Sequence, residues 1–179
     1  GKSTLAHALT DAGARLVTDD ALPVQIGRPP MLRPGIHQVR LRRDSASRLI
    51  YGEVPPPAGY AGKHVVTDLP EDRLVLETIP LSAIYLLSPV RPDGNPPAAQ
   101  RDELPSMAAT LALVRQTKGG CLLGRTESAV VLERAADLAR TAPVYRLRVV
   151  RDFDRLEEVV EQLFDWHGRP ASQSALAGV

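Results

Sequence analysis

A chain of 179 residues, 44% hydrophobic and 24% charged, has the composition of a globular protein and is long enough for one domain that hides roughly 70% of its unfolded surface. A net charge of +1 excludes a general field for nucleic acid or a membrane surface, and 4% aromatics leaves little for base-stacking platforms. The single cysteine, Cys121, excludes an internal disulfide and a multi-cysteine metal site, and no apolar run approaches the roughly 20 residues that span a bilayer. With no signal peptide in view, a reducing, cytoplasmic setting is expected.

The first twenty residues carry the most information. Gly1-Lys2-Ser3 matches the tail of a G-x-x-x-x-G-K-[ST] loop. In such a loop backbone N–H groups wrap phosphate oxygens, the lysine neutralises the terminal phosphates, and the hydroxyl binds Mg²⁺. The motif requires a helix next, whose first turn adds free N–H groups and the positive end of its dipole. Leu5-Ala6-His7-Ala8-Leu9 supplies helix formers, and Gly13 is a stop. Leu16-Val17-Thr18 then reads as a short buried strand that delivers Asp19-Asp20 to the rim where open α/β sheets bind ligands. A bare G-K-[ST] arises by chance in about one chain in ten of this length, so the apolar run and the carboxylate pair one helix later carry most of the weight. The upstream strand and first glycine of the motif would precede Gly1, so the loop is expected to be cut at its N-terminal side.

Ala21–Ile26 alternates like an edge strand, with Pro23 confining it there. Gly27–Pro30 and Arg33-Pro34-Gly35 are turns. Ile36–Leu41 alternates as a half-buried strand, and Asp44 is placed to cap a short helix over Ser45–Ile50. Residues 51–62, with three consecutive prolines, form a loop, and Gly62–Thr67 is a strand entered through a turn. Asp68–Asp72 is turn-like. Leu81–Leu87 reads as a buried central strand closed by Ser88-Pro89, and Val90–Arg101 as a second loop. Helices follow from Leu104 to Thr117 (apolar at Met107, Leu111, Leu113 and Val114, ended by Gly119-Gly120) and after Thr126-Glu127-Ser128 (Val130, Val131, Ala135, Leu138 and Ala139 inward, stopped by Pro143). Val144–Val149 is a strand. The last helix, capped by Asp152 or Asp154, presents Leu156, Val159, Val160, Leu163 and Phe164 on one face. The expected division is a domain over 1–168 and a flexible tail over 169–179. The strands outnumber a simple doubly wound design, so the fold class is α/β with a mixed sheet and flanking helices.

The spacing from Lys2 to Asp20, with Gly13 and Arg15-Leu16-Val17 between, resembles the catalytic domain of HPr kinase/phosphorylase. More of the chain is similar to the shorter HPr-kinase-like serine kinases, including those found with lasso-peptide biosynthesis. The resemblance runs through Pro34-Gly35, Val39-Arg40-Leu41, Asp44-Ser45-Ala46, Gly62-Lys63, Leu81–Leu87, Val144–Leu147 and the Asp152–Phe164 helix. It implies a P-loop-containing, phosphoenolpyruvate-carboxykinase-like core and an ATP- and Mg²⁺-dependent serine kinase. The histidine of HPr kinase/phosphorylase lies upstream of the loop, and its glutamate-containing signature has no counterpart here, since no Glu occurs between Gly1 and Gly52. That departure points to the shorter, kinase-only relatives.

Phosphoryl transfer to a hydroxyl needs charge neutralisation, a metal bridge and a proton acceptor. Lys2 provides the first; Gly1, Lys2, Ser3 and Thr4 form the nucleotide-binding turn; Ser3 and one of the two carboxylates, Asp19, hold Mg²⁺. The resemblance implies that Asp20 is the proton acceptor. Arg40 and Lys63 are further candidates for phosphate or substrate contact. His37 reads as a surface or packed residue, and His7, His64 and His167 lack zinc-ligand spacing. Ser45 and Thr117 suit cap or surface roles, and Cys121 a buried filler. The expected activity is transfer of the γ-phosphoryl of ATP to a Ser/Thr hydroxyl of a peptide or small protein, with neither nucleic acid nor membrane as partner and an oligomer left open. The alternatives are a kinase for a small metabolite hydroxyl, a nucleotide-binding regulatory module without turnover, and a fragment whose loop binds nothing.

Overall fold

The helix expected after Gly1 forms over Lys2–Asp11 (α1) in the computed structural model, which describes residues 1–50, 57–58, 62–67, 69–118 and 124–168. It ends where expected: Ala12 N donates to Ala8 O, and Gly13 takes φ +113°, a region open to glycine because it lacks a Cβ. The expected strand at Leu16-Val17-Thr18 contracts to a single parallel bridge between Leu16 and Leu74. Leu16 N donates to Arg73 O at 2.7 Å, and Val75 N donates to Leu16 O at 2.9 Å. Beyond it, Val17 O accepts from the N–H of Gly35, in a turn rather than a strand.

The described strands fall into three small sheets instead of one mixed sheet. Val24–Gln25 (β1), Met31–Leu32 (β2) and Ile79–Pro80 (β6) form an antiparallel set in the order β1-β2-β6. Val39–Leu41 (β3), Pro57–Ala58 (β4) and Lys63–Val66 (β5) form another in the order β3-β5-β4. Pro23, Pro29, Pro30 and Pro34 interrupt the first half, and each removes an N–H that a longer ladder would need. The third sheet is mixed: Ile84–Val90 (β7) runs parallel to Val144–Val150 (β9), which pairs antiparallel with Ala99–Glu103 (β8). The central strand is therefore β9, and β7 is an edge. An edge position also lets β7 run on through Ser88-Pro89, where closure was expected. Strand β8 occupies the expected loop. Its sequence, Ala-Gln-Arg-Asp-Glu, hides the strand because only Ala99 is buried while Asp102 pairs across the edge with Arg148 at 2.6 Å.

The helix over Arg43–Leu49 (α2) starts one residue before Asp44, with Arg42 at the cap; Asp44 instead accepts from Ser45 N within the first turn. Helix α3 spans Ser106–Gln116, α4 Arg125–Thr141 and α5 Leu156–His167. The apolar face expected for α5 is the buried one. Val159, Val160, Leu163 and Phe164 pack with Leu5 of α1 and Leu147 of β9, and each such side chain contributes on the order of 1.5–3 kcal/mol. The cap residue is Arg155, with Asp152 one turn earlier accepting from Asp154 N. The faces expected for α3 and α4 are only partly correct. Ala109 and Thr110 of α3 and Ala135 and Leu138 of α4 are buried, whereas Met107, Leu111 and Val130 face outward. A second core joins Leu16, Val39, Leu41 and Ala46. No described helix is long and apolar enough to cross a membrane. Asp68, the Gly119-Gly120 stop, Cys121, the tail over 169–179 and most of the proline loop lie outside the described residues.

The C-terminal end of α5 is fastened by an aromatic–cation stack. The Arg101 guanidinium lies 5.0 Å from the Tyr145 ring centre and 4.6 Å from that of Trp166. Arg101 donates to the Tyr85 hydroxyl at 2.8 Å, and that hydroxyl lies 2.6 Å from His167 Nε2. Burial, with the Arg101 charge second, holds the His167 imidazole below its ordinary value of 6.5. The folded chain thus binds this proton less readily than the unfolded chain. Its contribution is complete above the unfolded value and is lost as pH falls. Urea titrations followed through Trp166, the chain's one tryptophan, should show lower stability at about pH 5.5 than at about pH 7.5. His167→Gln should flatten that difference.

Candidate active site

The residues of the candidate site come from the first turn of α1 and from the segment that follows the Leu16–Leu74 bridge. Helix α1 presents Lys2 as its first, exposed residue and Ser3 and Thr4 behind it. The first helical bond in this turn is Leu5 N to Gly1 O, so the N–H groups of Lys2, Ser3 and Thr4 have no partner inside the helix. Helix α2 secures the turn from the side, with Thr4 Oγ1 and the buried Ser45 Oγ 3.0 Å apart. Ser45 is thus neither a cap nor a surface residue; it braces α1. Thr117, by contrast, closes α3 as its C-cap, its hydroxyl donating to Leu113 O.

The carboxylate pair lies on the segment after the Leu16–Leu74 bridge. Close packing sets its path, because a Cβ on Gly35 would fall 2.8 Å from Thr18 Oγ1. Only glycine lets the Pro34-Gly35 turn lie against Thr18 without displacing it. Asp19 then reaches the first turn of α1. Ser3 Oγ donates to Asp19 Oδ2 at 3.2 Å, and the backbone N–H of Arg40 in β3 donates to the same oxygen at 3.0 Å. Asp20 faces elsewhere. Its Oδ2 accepts from Lys118 Nζ at 2.9 Å, just past the end of α3. The Lys118 hydrogen bond and charge, with Arg40 and Lys63 adding theirs, hold the Asp20 carboxyl below the usual carboxylate value.

The structure therefore brings Lys2, Ser3, Thr4, Asp19 and Asp20 to one region, with Arg40 and Lys63 within electrostatic reach of Asp20. In β3, Val39 and Leu41 point into the core, so Arg40 lies on the outer face. It pairs in register with Val65, and Lys63, two residues away, shares that face. Arg42, Asp44 and Arg151 lie within electrostatic reach of the Gly1 end of α1. Arg151 directly follows β9, which places this end of the helix toward the C-terminal ends of the parallel strands, where α/β sheets hold ligands. His37 is a packed residue, its Nε2 3.0 Å from Val75 O; His7 is buried beside Asp11, and His64 is also buried.

Among the described residues no three His, Cys, Asp or Glu side chains cluster to form a metal cage. Ser3 and Asp19 suit Mg²⁺ nonetheless, since that ion keeps several waters and takes one or two protein oxygens together with phosphate oxygens. Sequence reasoning missed Lys118 and the bracing role of Ser45. The first has no motif spacing, standing 98 positions from its partner; the second is hidden because a buried hydroxyl has the same sequence signature as a capping one. Comparison with protein-family models, curated proteins and solved structures finds no match.

Proposed function

We propose that this chain is an ATP-dependent phosphotransferase of the HPr-kinase-like type, built on a P-loop-containing, phosphoenolpyruvate-carboxykinase-like core and acting on a Ser/Thr hydroxyl of a peptide or small protein. The observation that carries the reading is the hydrogen bond from Ser3 to Asp19, combined with the outward turn of Asp20. Two adjacent carboxylates face two different tasks. Asp19 and the Ser3 hydroxyl would hold Mg²⁺, which when bound neutralises charge on the phosphate oxygens. The first-turn N–H groups of α1 and the Lys2 ammonium bind phosphate oxygens. Asp20 accepts the proton of the acceptor hydroxyl. The acceptor oxygen then bonds to the γ-phosphorus as the bond to ADP breaks, and ADP keeps the electron pair.

The test is transfer of label from [γ-³²P]ATP, with Mg²⁺ and a panel of peptides and small hydroxyl metabolites, by the full-length protein. Lys2→Ala and Asp20→Asn should both lose transfer, and transfer surviving in both variants refutes the assignment. Preferential labelling of metabolites would move the substrate class, and calorimetric ATP binding without acceptor-dependent ADP release would favour a regulatory module.

A further inference from the structure

We propose that Lys118 is a catalytic residue of this site, paired with Asp20 at rest and transferred to the phosphoryl group during the reaction. The assignment rests on the phosphotransferase reading above. Asp20 can serve two partners at once, since its Oδ2 accepts from Lys118 Nζ at 2.9 Å while its second oxygen can be offered to the acceptor hydroxyl.

The pair is made so that it can open. The Lys118 side chain is 71% exposed and that of Asp20 62% exposed, so no packing holds either in place. An exposed pair of this kind adds little to folding stability. Lys118 lies beyond the C-cap of α3, on a four-carbon stem with three donors that can be reassigned. The other cations near Asp20 are held differently. Arg40 and Lys63 are fixed on the outer face of the β3-β5-β4 sheet by strand register. Of these three cations Lys118 is the one hydrogen-bonded to Asp20, and it comes from a different part of the chain than the first turn of α1.

On the phosphotransferase reading the phosphoryl group passes from the Ser3–Asp19 side to the Asp20 side, so an ammonium in contact with Asp20 would lie beside its path. As the acceptor oxygen bonds to phosphorus and its proton moves to Asp20, Asp20 loses its negative charge and its hold on Lys118. The ammonium is then free to bind the equatorial phosphoryl oxygens, with no covalent bond of its own made or broken. Removing one such charge-stabilising donor typically costs about 10²–10³ in kcat.

Steady-state kinetics of wild type, Lys118→Ala and Lys118→Arg, with melting curves for each, test the assignment. Lys118→Ala should lower kcat about 100-fold, with KM for ATP within about threefold of wild type and an unchanged melting midpoint. Lys118→Arg should recover a substantial part of kcat, because it restores the cation. A Lys118→Ala kcat within about threefold of wild type, or a loss confined to KM, overturns the role of Lys118 while leaving the phosphotransferase reading intact. A wild-type protein that transfers no label removes both.

Discussion

Asp20→Asn should reduce kcat by about 10²–10⁴-fold, the usual range for a positioned general base, while Mg²⁺-dependent ATP affinity stays within about twofold of wild type. The neighbouring change, Asp19→Asn, should do the reverse in binding: nucleotide affinity that no longer responds to Mg²⁺. The asymmetry follows from where the two side chains point. Asp19 accepts from Ser3 Oγ and from the N–H of Arg40, so its charge is directed at the first turn of α1. Charge-assisted bonds of this kind are roughly twice as strong as neutral ones, and the amide of an Asn at position 19 forfeits that advantage. Asp20 makes no such contact and faces Lys118 instead. Calorimetry with and without Mg²⁺, run beside label-transfer kinetics, separates the two effects. If Asp20→Asn weakens Mg²⁺-dependent binding while Asp19→Asn leaves it intact, the roles are exchanged.

Leu147→Ala carries the largest expected effect on stability. Leu147 is 1% exposed at the middle of β9, opposite Leu87 of β7 and Arg101 of β8. It belongs to the core shared with Leu5 of α1 and with Val159, Val160, Leu163 and Phe164 of α5. Truncation leaves a cavity that three elements cannot close at once, which places the cost at about 2–5 kcal/mol. For a chain of this size that corresponds to a fall of roughly 6–15 °C in melting temperature. Met107→Ala, at a position 72% exposed, should stay within about 0.5 kcal/mol of wild type. Differential scanning calorimetry on both variants checks the contrast. A small shift for Leu147→Ala would mean that the α1–α5–β9 contact is not the stabilising centre. Because α1 carries the proposed phosphate turn, a loosened core should also weaken nucleotide binding.

Local signals in the sequence determined α1, its stop at Gly13, the apolar face of α5 and the strand at Val144–Val150. Each depends on residues a few positions apart: helix formers after a glycine cap, a residue that tolerates positive φ, and a 3.6- or 2-residue period. The same reading identified the Lys2-Ser3 and Asp19-Asp20 groups, since motif spacing survives in a linear string. It did not reveal that β9 rather than β7 is central, because β7 is the more apolar run while β9 carries Arg146 and Arg148, and only pairing separates edge from centre. It missed β8, whose polar residues suit an edge. It merged three small sheets into one, because periodicity says which residues form strands and nothing about which strands meet. That Asp19 and Asp20 take different partners was visible only in the tertiary structure, through the Pro34-Gly35 turn against Thr18, the β3 backbone and Lys118 from beyond α3. Contacts between residues 16, 21 and 98 positions apart arise from packing of the whole chain, and no local propensity encodes them.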